Sequence, residues 1–277
     1  IYTRLYTLSL HDALPILTDL AHYGPWAVIA GGSEGVGAQF ALQLADAGLN
    51  LVLIARKPGP LEETAQAARA KGVEVRTLAV DLTSAQAISE ITQATSDLEV
   101  GLLIYNAGAN SYGQNFTEGE LAGFMGVLDL NINAMLALTL HFAMPMKQRR
   151  RGGILLVGSL AGYVGTATEA IYGGAKAFGR IFAEGLWSEL RDYDVHVLEL
   201  VLGVTRTPAM ERAGLRFDIP GITVGEPADV AHEGLAALPD GPVHVISGNE
   251  PIVKMRATSE RAKLVLGTER AIKALLP

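Results

Sequence analysis

The chain has 277 residues, of which 49% are hydrophobic and 18% are charged, so it can bury a full core and lacks the composition of a disordered protein. Its formal net charge of -7 argues against a nucleic-acid-binding surface. The absence of cysteine excludes disulfides and thiol nucleophiles and is typical of a reducing compartment, so we expect a cytoplasmic protein.

The sequence also predicts no metal and no membrane partner. The six histidines show no spacing that is typical of a metal site. No apolar run reaches the roughly 18 residues that a membrane-spanning helix needs.

The N-terminal segment differs from the rest of the chain. Residues 6–16 read YTLSLHDALPI, which resembles a translated sequencing-library adapter. We therefore expect residues 1–16 to be non-native, with a genuine N-terminal extension as the alternative. Deleting them should leave melting temperature and activity unchanged, because chain ends that are not tied down tolerate removal. We expect residues 17–277 to form one domain.

Short apolar runs alternate with helix-period segments along the remaining chain. The predicted strands cover residues 26–30, 49–55, 73–80, 100–105, 154–157, 195–201 and 243–246. The predicted helices cover residues 36–47, 61–71, 84–95, 118–149, 170–191, 227–237 and 253–275. This alternation predicts a single α/β, doubly wound, Rossmann-type domain with a mostly parallel sheet of about seven strands and helices on both faces.

A glycine-rich turn follows the first predicted strand. Gly31, Gly35 and Gly37 stand between that strand and a helix, together with Ser33 and Val36. Glycine allows positive φ and lets the backbone approach a pyrophosphate at the helix N-terminus. The turn therefore predicts dinucleotide binding, although glycines also end strands for steric reasons alone.

The end of the second predicted strand indicates which dinucleotide is bound. NAD-binding folds place an acidic residue there to hold the ribose hydroxyls, whereas this chain has Arg56 and Lys57. Two cations suit a 2′-phosphate, so we predict NADP as the cofactor, with NAD possible. Glu34 beside the glycines counts slightly against an extra phosphate, and an ordinary solvated pair of cations is the alternative reading.

Three side chains could carry proton-transfer chemistry. Tyr172 and Lys176 are four apart at the start of a predicted helix, so they share one face. An ammonium beside a phenol favours the phenolate and lowers its pKa, which suits acid/base catalysis. Ser159 follows a predicted strand at the edge of the sheet where ligands bind, and its hydroxyl could hold a carbonyl oxygen.

These motifs together resemble those of the short-chain dehydrogenase/reductase family over nearly all of residues 24–250. The glycine turn, Ser159, Tyr172 and Lys176 match in order and spacing. Further matches are Asp81 and Leu82 after the third strand, Asn106, Ala107 and Gly108 after the fourth, and Asn131 in the long helix. The resemblance implies an oxidoreductase that transfers hydride between NADP(H) and a carbonyl or secondary alcohol.

The resemblance also implies a role for each catalytic residue. Tyr172 would be the acid/base that donates a proton to the substrate oxygen, and Ser159 would orient the carbonyl. Lys176 would lower the pKa of the tyrosine and bind the nicotinamide ribose. Asn131 would shape the long helix and help to carry a water chain to Lys176.

The cofactor residues follow from the same resemblance. Asp81 would contact the adenine amino group and Thr207 the carboxamide. The implied cofactor set is Gly31, Ser33, Gly35, Val36, Gly37, Arg56, Asp81, Leu82, Asn106, Ala107, Gly108, Tyr172, Lys176 and Thr207.

The substrate is expected to be a small, hydrophobic ketone, aldehyde or alcohol, because the loops after strands four, five and six carry apolar side chains. They are Tyr112, Phe116, Tyr163, Val164, Leu215, Phe217, Ile219 and Ile222, the last four within a substrate loop at about 204–226. Packing within the lid is the alternative role for each of them. The long helices at 118–149 and 170–191 resemble those that pair across a two-fold axis, so we expect a homodimer or homotetramer.

A sensor or scaffold that binds NADP without turnover is the competing function.

Overall fold

The central element is a seven-stranded, fully parallel sheet, seen in a computed structural model that describes residues 20–218 and 222–275. Its strands are β1 (Trp26–Ala30), β2 (Asn50–Ala55), β3 (Val75–Ala79), β4 (Val100–Tyr105), β5 (Gly152–Ser159), β6 (Val195–Leu202) and β9 (Val243–Val245). Their order across the sheet is β3-β2-β1-β4-β5-β6-β9. Two short parallel strands, β7 (Val204–Thr205) and β8 (Val224–Gly225), form a separate pair.

Helices connect the strands and cover both faces of the sheet. They are α1 (Gly35–Asp46), α2 (Pro58–Arg69), α3 (Ala87–Ala94), α4 (Leu121–Leu128), α5 (Ala134–Arg149), α6 (Ala170–Leu190), α7 (Pro208–Arg212), α8 (Pro227–Ala237), α9 (Glu250–Arg256) and α10 (Arg261–Leu275). The predicted doubly wound fold is confirmed. Sequential parallel strands require such crossovers, and central strands buried on both faces read as continuous apolar runs.

Two hydrophobic clusters stabilise the sheet, one on each face. Phe40 and Leu44 of α1 lie in the first cluster, and Leu138 and Phe142 of α5 lie in the second; all four are completely or almost completely buried. Because the strands contribute alternate side chains to each cluster, the sheet is fixed in register. The positions of its carboxyl ends are therefore fixed as well.

Two predicted helices are interrupted in the structure. The helix predicted at 118–149 contains a π-helical segment at Asp129–Asn133 between α4 and α5. The helix predicted at 253–275 is two helices, α9 and α10. Between them the Thr258 hydroxyl accepts a hydrogen bond from the backbone N–H of Glu260 at 3.2 Å. Threonine and serine side chains compete with helical backbone bonding in this way, which explains the break.

The prediction that no segment is apolar enough to span a membrane is wrong by length and hydropathy alone. Within the described residues, one helical stretch, Leu121–Arg149, meets both criteria, and 33% of its most apolar window is buried inside the protein. A helix in the core of a globular domain can meet the same criteria. This stretch packs on β4, β5 and α6, and it also presents an apolar outer face.

The predictions for residues 1–16 and for Ile219 lie outside the described residues. The division of the chain into a non-native segment and one domain at 17–277 stays a prediction.

Candidate active site

The glycine turn between β1 and α1 brings two backbone segments into close approach. Gly31 has a φ of 83°, and a Cβ atom there would lie 2.8 Å from the backbone nitrogen of Ala107. Gly37 has no room for a side chain either, because a Cβ atom would overlap the carbonyl oxygen of Gly31. These glycines are required by the path of the chain.

Hydrogen bonds join the turn after β4 to this glycine turn. The side-chain amide of Asn106 donates a hydrogen bond to the carbonyl oxygen of Gly31 at 2.9 Å, and its backbone N–H donates to Ala30 at the same distance. The two loops therefore form one wall whose backbone groups are held in place.

A cavity of about 420 Å³ opens at the carboxyl ends of the strands, where open α/β sheets bind their ligands. The structure brings most of the predicted site residues to its wall. They are Gly31, Ser33, Gly35, Val36, Arg56, Leu82, Asn106, Ala107, Gly108, Ser159, Tyr172, Lys176 and Thr207.

Three predicted site residues do not line the cavity. Gly37 packs beneath the glycine turn, and Asn131 is buried behind the cavity. The carboxylate of Asp81 accepts hydrogen bonds from the backbone N–H and the hydroxyl of Thr83 at 3.0 and 2.8 Å. Both bonds are made to Oδ1, and the contact of Asp81 with an adenine amino group stays a prediction. The bonds from Thr83 lower the pKa of Asp81.

Besides Lys176, the cavity wall carries three cations and one carboxylate. Arg56 and Lys57 are exposed at the end of β2. Arg212, on α7, donates a hydrogen bond to Glu34 beside the glycine turn, and this bond raises the pKa of Arg212. Sequence reasoning missed Arg212, which lies 178 positions from Glu34. Since Arg212 neutralises Glu34, the carboxylate counts less against a bound phosphate than we expected.

The phenol of Tyr172 lies partly buried beside the hydroxyl of Ser159. Burial raises the pKa of Tyr172 to about 12, and a hydrogen bond with Ser159 opposes this shift. The Oγ atom of Ser159 also accepts a hydrogen bond from the backbone N–H of Ala161 at 3.1 Å, which orients the hydroxyl. A protonated phenol and an oriented hydroxyl thus meet at one point.

Lys176 lies beneath this pair. Its Nζ atom donates a hydrogen bond to the carbonyl oxygen of Val157 at 2.9 Å and is 5.6 Å from the ring centroid of Tyr172. Burial lowers the pKa of Lys176 to about 8, and the carboxylate of Glu199 opposes this shift. Burial dominates the pKa of Tyr172, and the predicted lowering of that pKa by Lys176 stays a prediction.

Asn131 stands in the π-helical segment and stabilises the floor of the site. Its amide donates hydrogen bonds to the carbonyl oxygens of Ala109 and Val127 at 3.0 and 2.9 Å. A Cβ atom at Gly108 would lie 2.8 Å from both Oδ1 of Asn131 and Nζ of Lys176. Because Gly108 has no side chain, both of these polar groups fit beside its backbone.

The residues predicted to line a substrate pocket are divided by the structure. Tyr112 and Phe116 pack on Phe124 with ring centroids 5.1 and 5.2 Å away, which is the packing role that we held as the alternative. Ile222 lines a second cavity of about 640 Å³ beside Leu160, the residue after Ser159. Other apolar side chains that line this cavity are those of Val204, Ile252, Met255 and Leu264.

A cluster of histidines lies near the amino ends of β1 and β6, at the edge of the sheet opposite the cavity. His22, Asp194 and His196 bring possible metal-binding atoms within 4.8 Å of one another. The two imidazoles are stacked at 23°, and Tyr23 shares a 2.7 Å hydrogen bond with His196. Rings that share a metal ion point at it edge-on, so this stacking is better explained by packing, and the absence of a metal site stays a prediction.

The fold and the site define a nucleotide-binding oxidoreductase of the doubly wound α/β class. A sequence profile described as "short chain dehydrogenase" matches residues 25–215. The chain belongs to this family, and the predicted resemblance is confirmed. It is an oxidoreductase that acts on carbonyl or alcohol groups.

Named relatives give the same assignment. 7beta-Hydroxysteroid dehydrogenase from Clostridium sardiniense is 33% identical over 187 residues, which are 67% of this chain and 71% of that protein. A very-long-chain 3-oxoacyl-CoA reductase from Podospora anserina is 33% identical over 216 residues, which are 76% of this chain and 63% of that protein. The chain therefore spans less than two thirds of the length of this fungal relative.

A solved structure extends the similarity to almost the whole chain. The short-chain dehydrogenase from Sphingobium yanoikuyae in complex with NADPH has a TM-score of 0.74 at 28% identity. The match covers 91% of this chain and 96% of that one.

The cavity fits a nicotinamide dinucleotide. Gly31, Ser33, Gly35 and Val36 line it at the start of α1, where backbone nitrogens of a helix N-terminus suit a pyrophosphate. Arg56 and Lys57 line the cavity at the end of β2 and would hold the ribose beside the adenine, whereas Ser159, Tyr172 and Lys176 would lie beside the nicotinamide.

Proposed function

We propose that the protein uses NADP(H) to interconvert a hydrophobic carbonyl compound and its secondary alcohol, with Tyr172 as the acid/base. One observation carries the proposal: Ser159, Tyr172 and Lys176 share a single cavity wall with the cations Arg56 and Lys57. A sensor that only bound the cofactor would not need a proton donor at the nicotinamide end of that cavity.

The bound cofactor would supply or accept the hydride. On the side of the protein, the Tyr172 phenol, protonated at neutral pH, donates its proton to the substrate oxygen as charge develops there. Ser159 holds the same oxygen through its hydroxyl, since its Oγ is oriented by Ala161. Lys176 lies below both groups and contributes its positive charge.

NADP preference is supported by the exposed cations at the end of β2. No carboxylate replaces them at residues 55–57 to hold ribose hydroxyls, and Arg212 neutralises Glu34 nearby. A cation that meets a phosphate forms a charge-assisted bond, worth about 1.5–3 kcal/mol.

A hydrophobic substrate is supported by the second cavity. It adjoins Leu160, next to Ser159, and its lining is largely apolar. The named relatives act, by their names, on a hydroxysteroid and on a very-long-chain 3-oxoacyl-CoA, which both contain a long apolar part. An apolar carbonyl compound longer than a few carbon atoms is therefore the substrate class we propose.

The test is a panel of steroid, acyl-thioester, aromatic and aliphatic carbonyl compounds, each with NADPH and NADH, followed by loss of cofactor absorbance. Turnover that depends on Tyr172 supports the proposal. Tight NADPH binding without turnover of any compound would instead favour the sensor or scaffold.

We also propose that the protein assembles as a homodimer or homotetramer through α5 and α6. Large apolar side chains on the outer faces of these helices are exposed, among them Leu140 at 64% and Ile181 at 58%. Exposed apolar patches of this kind are typical of protein–protein interfaces.

A further inference from the structure

Strand β6 carries a buried carboxyl group that the proposed chemistry does not use. Glu199 is only 2% exposed in the apolar run Val195–Leu202. Its strand neighbours, Leu156 on β5 and Val243 on β9, bear no charge. A buried carboxylate is costly unless a charge or a hydrogen bond compensates for it, so its presence requires an explanation.

Two glycines make room for this carboxyl group. A Cβ atom added at Gly158 would lie 2.6 Å from Cδ and 2.8 Å from Cγ of Glu199. On the facing helix, a Cβ atom at Gly179 would lie 3.6 Å from Oε1. The carboxyl group therefore lies against the backbone of Gly158, between Val157, whose carbonyl holds Lys176, and Ser159.

The charged and titratable groups around Glu199 come from α6 and the turn before it. Lys176 and Arg180 attract its negative charge, whereas Glu184 repels it. Tyr163 lies close enough for Glu199 to raise its pKa. Burial raises the pKa of Glu199, and the two cations oppose this shift. Among the described residues, Oε2 of Glu199 has no hydrogen-bond partner, so the compensation is electrostatic.

We propose that Glu199 is the counter-ion of Lys176: a positioning residue that keeps the buried ammonium charged beneath Ser159 and Tyr172. The proposal deepens the proposed function and rests on it, since it assigns a role in the same site. It adds a polar group on β6 to the site that Asn131, Ser159, Tyr172 and Lys176 form.

The proposal makes the titration of Lys176 depend on Glu199. Ionised Glu199 stabilises the ammonium of Lys176 and opposes the loss of its proton. Without the carboxyl group, Lys176 loses its proton at lower pH. An opposite charge within about 4–6 Å changes a pKa by roughly 1–3 units, so the two cases are separable.

The direct test is a titration of Lys176 by NMR with lysine isotopically labelled at Cε, the signal being assigned with Lys176→Arg. In Glu199→Gln, which keeps the shape and removes the charge, we expect the titration midpoint of Lys176 to fall by about one unit or more. Glu199→Asp should restore most of the loss. Glu184→Gln is the matched control, since it removes a carboxylate that is close to Arg180 but more exposed, and should leave the midpoint unchanged.

An unchanged midpoint in Glu199→Gln would overturn the proposal, and so would an equal fall in Glu184→Gln. If Glu199→Gln does not fold, the reciprocal measurement decides. The infrared band of the protonated Glu199 carboxyl should persist to higher pH in Lys176→Met than in the wild type, and an unchanged band would reject the pairing.

Turnover separates this proposal from the proposed function. With an active substrate, the alkaline limb of the rate profile should move to lower pH in Glu199→Gln by the same amount as the Lys176 midpoint. If the wild type reduces no carbonyl compound with either cofactor, the proposed function fails, while the titrations still decide whether Glu199 and Lys176 are paired.

Discussion

Nζ of Lys176 lies 5.6 Å from the ring centroid of Tyr172 and is directed to the backbone of Val157. The ammonium therefore lies over the aromatic ring and is held by the strand that carries Ser159. The two residues therefore have different roles. The phenol holds the proton, and the lysine supplies positive charge but forms no bond with the phenol in the structure. The predictions for these two residues differ accordingly.

Tyr172→Phe should reduce turnover by a factor of about 10² or more while NADPH binding is retained, because it removes the proton donor and keeps the ring. Steady-state kinetics and a fluorescence titration of NADPH measure the two effects. Tyr193→Phe, far from the cavity, is the control and should behave as the wild type. Near-normal kcat in Tyr172→Phe would refute the assigned mechanism.

Turnover should decline as the pH rises above about 8, because burial lowers the pKa of Lys176 to about 8 and its charged form is the active one. Lys176→Ala should lose both turnover and cofactor affinity. The measurement is a rate profile from pH 6 to about pH 10 with saturating cofactor. A rate that stays constant up to pH 10 would mean that the ammonium is not needed.

Arg56→Ala should weaken NADPH binding by about tenfold or more and leave NADH binding almost unchanged, because only NADPH carries the 2′-phosphate. Fluorescence titration of both cofactors gives the ratio. Arg69→Ala is the control, since Arg69 pairs with Glu62 and does not line the cavity. An unchanged NADPH to NADH ratio in Arg56→Ala would contradict the prediction.

Replacing Leu140 and Ile181 by glutamate should convert the assembly to monomers of 29.3 kDa, because two charges would be buried in the proposed interface. Light scattering after size exclusion at micromolar concentration measures the mass. Leu266→Glu changes a similarly exposed leucine on α10 and should leave the assembly intact. A wild-type protein that is already monomeric would contradict the prediction.

Glu233→Gln should lower the free energy of unfolding at pH 7 by about 1–3 kcal/mol, because the carboxylate holds His244 at 2.7 Å and accepts bonds from Ser247. Burial raises the pKa of Glu233, but these bonds outweigh it and the net pKa is lowered. A lowered pKa adds stability above the unfolded-state value and loses it as the pH falls through the folded-state value.

The difference between wild type and Glu233→Gln should therefore shrink below about pH 4. Urea unfolding at neutral pH and at this acidic pH measures the difference in the free energy of unfolding. Glu226→Gln is the control, since its ion pair with Arg206 is about half exposed and contributes little. A difference that stays constant with pH would show that the effect is packing and not charge.

The site residues that could be predicted are those whose partners lie close to them in the sequence. Tyr172 and Lys176 are four apart on one helix, and Gly31 and Gly37 lie in one turn, so local spacing indicated each of them. The strands were also predictable, since those at the centre of a parallel sheet are continuous apolar runs.

The residues that were missed meet only through the fold. Arg212 contacts Glu34, which is 178 positions away in the sequence. Glu199 interacts with Lys176 of α6 from strand β6. Glu199 did leave a signal, since a carboxylate within an apolar strand is unusual, but its partner was not evident. The π-helical segment around Asn131 and the break after α9 depend on local hydrogen bonds that hydropathy does not report.

The ion pair between Glu34 and Arg212 has a kinetic consequence. It ties the start of α1 to α7, on two walls of the cofactor cavity, so any motion that widens the cavity there must break it. A partly exposed pair contributes only about 0–1 kcal/mol, which slows such opening about fivefold at most. Because this ion pair is weak and screened by salt, we expect the cavity to open more readily, and a bound cofactor to leave sooner, as the ionic strength rises.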